Sequence, residues 1–435
     1  MKGLLFTYLL TGGGSLSGLF RPFYGFLVYV AFAIIKPEMM WPWSVPKGRY
    51  SFVIALGMLL GWLWTRRANF NFGKSFGVMA LLVGYLAWAS FLAFMPRNQI
   101  MAWDYVDRLA RIAIPFVVAL TCITSTKELK QLAWTIVLAQ GYVAYELNSY
   151  YFGGYNVLRY AGFGGMDNNS AAIALVTGIG IAFFLGVHST SLFERATAFL
   201  FAALMGHAIL FSFSRGGMLG MIVTGIVTCV VIPKRPRTYA MLIGTVCLGA
   251  MLAGPEVRER FMTTFVKSGE ERESSAQSRV DLWSDCWDVM KKNPVLGCGP
   301  NHWPLIASDY GWPHGKEAHS LWMQTGAEMG FIGLALYLSF YLLCIFRLWV
   351  LTWKSSVVED PWHKHTARMA VTGLSGFVVS AQFVSLETLE IPYYTALLGC
   401  GALKLARAWE PAQAVDLGFD PVDACPARGQ ALLSS

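Results

Sequence analysis

Long apolar runs constrain this chain more than any other feature. Stretches near residues 3–20, 22–36, 51–65, 75–94, 106–124, 129–151, 169–188, 194–214, 216–232, 238–253, 319–350, 367–386 and 391–407 are each apolar over most of their length. Runs of about 20 such residues span the ~30 Å hydrocarbon layer of a bilayer as helices. That makes about thirteen spans, or twelve if the first two form one broken or re-entrant unit around Gly12-Gly13-Gly14. The expectation is an all-α polytopic membrane protein. Composition agrees, since 55% of residues are hydrophobic, 14% are charged and 14% are aromatic, with mean hydropathy +0.48. These values exclude a soluble enzyme and a disordered chain. The net charge of +8 is read as a cytoplasmic excess of Lys and Arg rather than as nucleic-acid binding.

Basic residues fall in alternate loops: Arg66, Arg67 and Lys74; Lys127 and Lys130; Arg195; Lys234, Arg235 and Arg237; Lys354, Lys364 and Arg368. By the positive-inside rule these loops face the cytoplasm. Loops 37–50, 95–105, 152–168 and 254–318 and the turn Ser214-Arg215-Gly216-Gly217 then face outward, while the side of the N-terminus stays open. The expected organisation is a transmembrane bundle over 1–253, an external loop domain over 254–318, C-terminal transmembrane helices over 319–409 and a disordered cytoplasmic tail over 410–435. The loop 254–318 holds 8 Lys or Arg and 10 Asp or Glu. Within it Val280, Trp283, Trp287 and Met290 recur at helical spacing opposite Asp281, Asp285 and Asp288, predicting an amphipathic helix. Cys286 and Cys298 lie in the same loop, where a disulfide and two buried thiols are equally compatible with the sequence. No internal repeat of the transporter kind is visible, which weighs against alternating access.

Arg215 interrupts the apolar residues 201–232, which would make a helix of about 48 Å, too long for one ordinary span. The Gly216-Gly217 pair is expected to break it and leave Arg215 at the external face. The plain reading of Arg215 is a snorkelling interfacial side chain; the sharper one is a guanidinium fork facing an anion. Arg279 opens the amphipathic helix on the same side, and His319 stands just before the next span. A histidine there is ordinarily a packing residue, but two arginines with a histidine suit a diphosphate leaving group and a base. Metal ligation is poorly supported, since Asp104, Asp107, Glu38, Glu387 and Glu390 are scattered or neighboured by arginine; no metal and no cofactor are expected. Glu146, His207 and Glu328 are polar residues in apolar runs, read as interhelical hydrogen bonds or functional groups. Trp41, Trp43, Trp303 and Trp312 suit an interfacial belt or, with a saccharide acceptor, a stacking platform.

The Ser214-Arg215-Gly216 turn, the stretch from Ser278-Arg279 through Trp287 into Asn293-Pro294-Val295-Leu296-Gly297-Cys298-Gly299, and His319-Ser320-Leu321 through Glu328-Met329-Gly330 together resemble the O-antigen ligase and polymerase superfamily. The resemblance covers roughly residues 155–400. It implies a metal-independent, inverting glycosyltransferase of GT-C-like architecture in a bacterial inner membrane, with its site toward the periplasm. It further implies that Arg215 and Arg279 engage the donor diphosphate and that His319 is the general base or orients the acceptor. Ser320 departs from the Asn that often follows the family's histidine. Gly164-Gly165-Met166-Asp167-Asn168-Asn169 resembles another family turn near the donor, which makes Asn168 and Asn169 supporting candidates beside the reserve base His314 and the supporting Glu328; a helix N-cap is the plain reading of that turn. The N-terminal portion, with Lys36-Pro37-Glu38, also resembles O-glycosylation ligases found beside exosortase systems.

The reading that follows is an O-antigen ligase moving a glycan from undecaprenyl diphosphate to a sugar hydroxyl of lipid A-core. A protein O-oligosaccharyltransferase or O-antigen polymerase would use the same donor chemistry, and a lipid-linked glycan transporter is the non-enzymatic rival. The expected partners are the lipid-linked glycan, lipid A-core and membrane lipids, with no nucleic acid, and the protein is expected to act as a monomer.

Overall fold

The computed structural model describes residues 2–66, 68–96, 98–252, 270–353, 361–386 and 389–406. Arg67, Lys354, Glu387, the first part of the external loop and the expected tail over 410–435 lie outside the described residues. The described chain is helical: α1 Lys2–Phe20, α2 Pro22–Ile35, α3 Tyr50–Thr65, α4 Phe76–Leu92, α5 Gln99–Cys122, α6 Thr126–Phe152, α7 Asn168–His188, α8 Leu192–Phe211, α9 Arg215–Val231, α10 Pro236–Leu252, α11 Glu270–Lys292, α12 Leu321–Trp353, α13 Trp362–Ser380 and α14 Glu390–Leu405. Among the described residues, six helices are long and apolar enough to cross a membrane: Gly3–Phe20, Pro22–Met40, Gly73–Leu92, Asn168–His188, Leu192–Phe211 and Leu321–Trp353. Tyr50–Thr65 and Arg215–Val231 are shorter apolar helices.

Side-chain to backbone bonds define two ends of this bundle. At the upper end Lys36 Nζ donates to Gly164 O (2.9 Å), Asn168 Nδ2 to Ser212 O (2.9 Å), and Trp88 Nε1 to Met329 O (3.1 Å). At the lower end Lys404 Nζ donates to Leu120 O (2.6 Å) and Asn69 O (3.1 Å), and Arg347 to Lys74 O (2.5 Å). Most of α7 is buried from Ser170 to Gly186, and it packs against α6, α8, α9 and α13. Small residues allow the close crossings: a Cβ added at Gly373 would sit 2.4 Å from Thr177 O. In lipid, where tails are as apolar as Leu, such backbone approach carries much of the helix association.

Several expectations change. The glycine triplet does not interrupt α1, which runs unbroken to Phe20; the chain turns instead at Arg21, whose extended backbone precedes Pro22 at the first helical position. A glycine costs only ~1 kcal/mol in a helix, whereas a proline removes a donor and ends the preceding turn. A Cβ at Gly3 would meet the Trp41 ring at 2.8 Å, so α1 begins at the upper end beside the end of α2. The expected loop 95–105 is largely helix, because Asn98 accepts from Met101 N (3.2 Å) and the pairs Asp104–Arg108 (3.1 Å) and Asp107–Arg111 extend α5 toward its start.

The break between α8 and α9 falls at Ser212-Phe213-Ser214, not at the glycine pair. Phe213 takes a left-handed backbone (φ 57°) and Ser214 caps α9, its Oγ accepting from Gly217 N at 3.1 Å. Gly216 and Gly217 are helical and buried; a Cβ at Gly217 would lie 2.7 Å from the Ala172 methyl. Their role is to bring the start of α9 against α7.

The loop domain has its own small core of Leu282, Cys286, Val289, Met290, Trp303, Ala307, Ala318 and Ala327. The apolar stripe of α11 is therefore rotated from the expected one. Val280 and Trp287 are exposed, and Asp285 accepts from Trp312 Nε1 (2.8 Å) rather than facing solvent alone. Met290 and Trp283 of the expected stripe do pack on this core, beside Leu282, Cys286 and Val289, so the inward face is shifted by part of a turn and not reversed. Cys286 and Cys298 are not joined by a disulfide, and burial pushes the Cys286 thiol well above its usual range. Trp303 is core rather than belt or platform, while Trp43 is exposed.

Candidate active site

Four segments meet at the upper end. The first is the start of α9, where Arg215 is the first helical residue and is exposed. There the orphan N–H groups and the aligned peptide dipoles favour an anion. The second is the turn before α7. Phe163 and Met166 exchange both backbone bonds at 2.9 Å, and Asp167 then caps the helix, its Oδ1 accepting from Ser170 N (2.8 Å). Asn168 ties this turn to the α8–α9 break through Ser212 O, and Asn169 Nδ2 donates to Asp167 Oδ2 (3.2 Å). The N-cap reading of the turn holds for Asp167.

The third segment is α11, with Arg279 half-buried one turn before Trp283. Residues four apart share a helix face, and Trp283 Nε1 donates to Ala318 O at 3.1 Å. Arg279 is thereby set beside the fourth segment, Lys316 to Ser320. His319 is half-buried with a left-handed backbone (φ 52°). A non-glycine residue in that region is strained by about 1–3 kcal/mol and persists only when its surroundings hold it. Two features hold it: the Trp283 bond on one side, and Ser320 on the other, whose Oγ accepts from Met323 N (3.3 Å) to cap α12. Ser320 is thus an N-cap, a task Asn performs equally well, which explains how Ser replaces it. The start of α9 joins the same group by packing, since a Cβ at Gly216 would lie 3.1 Å from Phe383 Cβ and the Phe383 ring is 6.4 Å from that of Trp283.

The charges here are mutually aware. Burial, Lys316 and Arg279 hold the His319 imidazole below its usual pKa, against the opposing charge of Asp167. Burial lowers Arg279 from its usual value, and Asp167 again opposes. The site therefore contains a histidine biased toward neutral beside guanidinium and ammonium groups. Asp167, which acts on both Arg279 and His319, was legible in the sequence only as part of a turn. Lys316, three residues before His319, is in sequence simply one of the basic residues of the loop.

Glu328 stands apart as a scaffold. Its carboxylate is fully buried and accepts from Asn301 N (2.8 Å), Trp303 N (3.2 Å) and Gln324 Nε2 (3.3 Å). Two residues on, α12 kinks at Gly330 (φ 66°), and the loop wraps this kink: Phe331 N donates to Pro294 O (2.8 Å) and Gly299 N to Glu328 O (2.9 Å). A Cβ at Gly330 would lie 2.3 Å from Val295 O, so only glycine satisfies both the backbone angle and the approach. His314, the reserve base, lies exposed in the turn Pro313–Gly315. His207 Nδ1 hydrogen-bonds Asn148 Oδ1, and Glu146 accepts from Tyr142 Oη (2.7 Å), both bonds inside the bundle. Among the described residues, no three His, Cys, Asp or Glu side chains converge to hold a metal ion.

Residues 200–338 match a family model described as O-antigen ligase, and that segment contains Arg215, Arg279, His319 and Glu328. The chain carries an O-antigen ligase domain, which supports membership of that superfamily. Residues 1–189 match a second model, a family of unknown function (DUF5935). No curated protein matches the chain. Superfamily membership and the apolar helices make this a multi-pass membrane protein of a glycosyltransferase-type enzyme class. Within the O-antigen ligase segment, the capped start of α9, the exposed face of α11 and the kinked start of α12 are what the upper-end cluster is built on.

Proposed function

We propose that the protein is an O-antigen ligase that moves a glycan from undecaprenyl diphosphate to a sugar hydroxyl of lipid A-core, at the periplasmic face of a bacterial inner membrane. The observation that carries this reading is the neutral-biased His319 held between Arg279 and Lys316 at the end where α9 presents Arg215. In one step the acceptor oxygen attacks the anomeric carbon, the carbon–oxygen bond to the diphosphate breaks, and configuration inverts. The hydroxyl proton passes to the His319 imidazole, and the diphosphate leaves with the bonding pair. Arg215 and Arg279 stabilise that leaving charge in a partly dehydrated cleft, where fixed donors act more strongly than in water. No metal is required by this arrangement.

The orientation follows the same logic. We infer that helices α1 to α10 and α12 to α14 run alternately between the two ends, with the loop domain on α11 at the upper end. Lys74, Lys127, Lys130, Arg195, Lys234, Arg235 and Arg368 belong to the lower end, the side that basic loops prefer.

Transfer assays with purified protein and an undecaprenyl-diphosphate glycan, offering lipid A-core, a Ser/Thr-rich acceptor protein or no second acceptor, test the proposal. Product on lipid A-core is expected. Product on protein, or a longer lipid-linked glycan, would replace the acceptor assignment with an oligosaccharyltransferase or polymerase. No product from wild type with intact donor would return the lipid-linked glycan transporter to consideration.

A further inference from the structure

At the lower end, far along α7 from the candidate active site, cationic and imidazole groups from three more elements gather around His188. The rings of His188 and His365 stack with centroids 3.2 Å apart at 17°. The charges bearing on His188 are those of His365, Arg368 and Arg235, all of one sign. Arg195 reaches the same corner, its Nη2 donating to Ser189 O at 2.8 Å. Ser189 is buried with its hydroxyl unpartnered, and His188 Nε2, Arg195 Nε and Arg368 Nε also lack partners.

The acid closest in sequence does not answer this charge. Glu194 is engaged by Lys130 at 3.4 Å, and Lys130 itself lies 5.6 Å above the Trp362 ring. Glu359 and Asp360 precede α13 but lie outside the described residues. Buried donors without acceptors, on a corner with exposed access along Arg235, call for an acceptor, and a tetrahedral oxyanion presents several at once. Guanidinium forks and a hydroxyl match phosphate oxygens in geometry, and basic pockets between membrane helices take phosphate headgroups.

We propose that His188, Ser189, Arg195, His365 and Arg368 form an anion site that binds a phosphate group at the lower end of the bundle, separate from the upper-end cluster. The phosphate comes from a lipid headgroup or from solution, and the chemistry of the site is the same for both. It holds the α7–α8 turn against α13.

The test follows the unfolding midpoint of the full-length protein. In detergent, inorganic phosphate is titrated against chloride at equal ionic strength; in nanodiscs, phosphatidylcholine is compared with a mixture containing phosphatidylglycerol. A saturable rise in either arm is expected, the first arm assigning a soluble phosphate and the second a lipid headgroup. Arg368→Gln should weaken the apparent affinity at least tenfold and Ser189→Ala several-fold, whereas Lys127→Gln, an exposed lysine at the same end, should leave it unchanged. Should Arg368→Gln fail to fold, Ser189→Ala and the wild-type titration decide alone. No saturable rise for wild type in both arms overturns the site, and so does an equal loss in Lys127→Gln, which would reduce the effect to general surface attraction.

Discussion

Arg279 and His319 are coupled through charge, and each gives a separate kinetic signature. Removing a donor that stabilises developing charge costs ~10²–10³ in turnover, so Arg279→Ala and Arg215→Ala should each lose about that much transfer activity while the protein stays folded. Lys should restore little, because an ammonium cannot form the bidentate fork. Full activity in either Ala variant would remove the diphosphate role. For His319, burial, Lys316 and Arg279 all disfavour the protonated ring. A base with a lowered pKa stays neutral further into acid, so the rate should hold from pH 7 downward and fall only below the ordinary histidine value of about 6.5. Lys316→Gln removes one repelling charge and should move this acid limb upward; Asp167→Asn removes the opposing charge and should move it downward. A limb that ignores both substitutions would show that His319 is not the titrating base. His319→Ala should lose ~10²–10⁴ in turnover with donor binding retained.

The elements that position these side chains are held by a few bonds around the α12 kink. Glu328→Ala would orphan the buried N–H groups of Asn301 and Trp303, at about 1–3 kcal/mol for each group. Hydrogen exchange should quicken around residues 299–303 before the bundle itself loosens, and unchanged protection there would contradict the scaffold role. Gly330→Ala meets both a left-handed backbone and Val295 O at 2.3 Å. It should lower the thermal midpoint by more than the same change at Gly225, where an added Cβ meets nothing within 4 Å. This element was only half legible. The sequence places a helix in the loop, because charged and apolar residues alternate with the right period, but not which stripe turns inward. Cys286 reads as a thiol until Leu282 and Met290 close over it.

At the scale of the whole molecule, the Cys286 and Cys298 thiols provide a check on the loop domain. With no disulfide between them and Cys286 buried, reductant should leave the thermal midpoint unchanged. A maleimide probe should label Cys286 only as the protein unfolds; denatured protein that takes up two labels fewer before reduction than after it would instead reveal a disulfide.

The sequence by itself determined the class of this protein and singled out the candidate site residues proposed above. Hydrocarbon admits only chains that satisfy their own backbone, so apolar runs read directly as helices, and Arg215, Arg279 and His319 stand out because charge near a membrane is costly. Only the tertiary structure decided which residues face them. Asp167 reaches His319 from a turn more than a hundred residues away, Phe383 bridges the start of α9 to Trp283, and Gly330 bends α12 beneath the loop. Such approaches depend on how helices cross, which is set by small residues and unpaired backbone groups on several segments at once. No single segment carries that information.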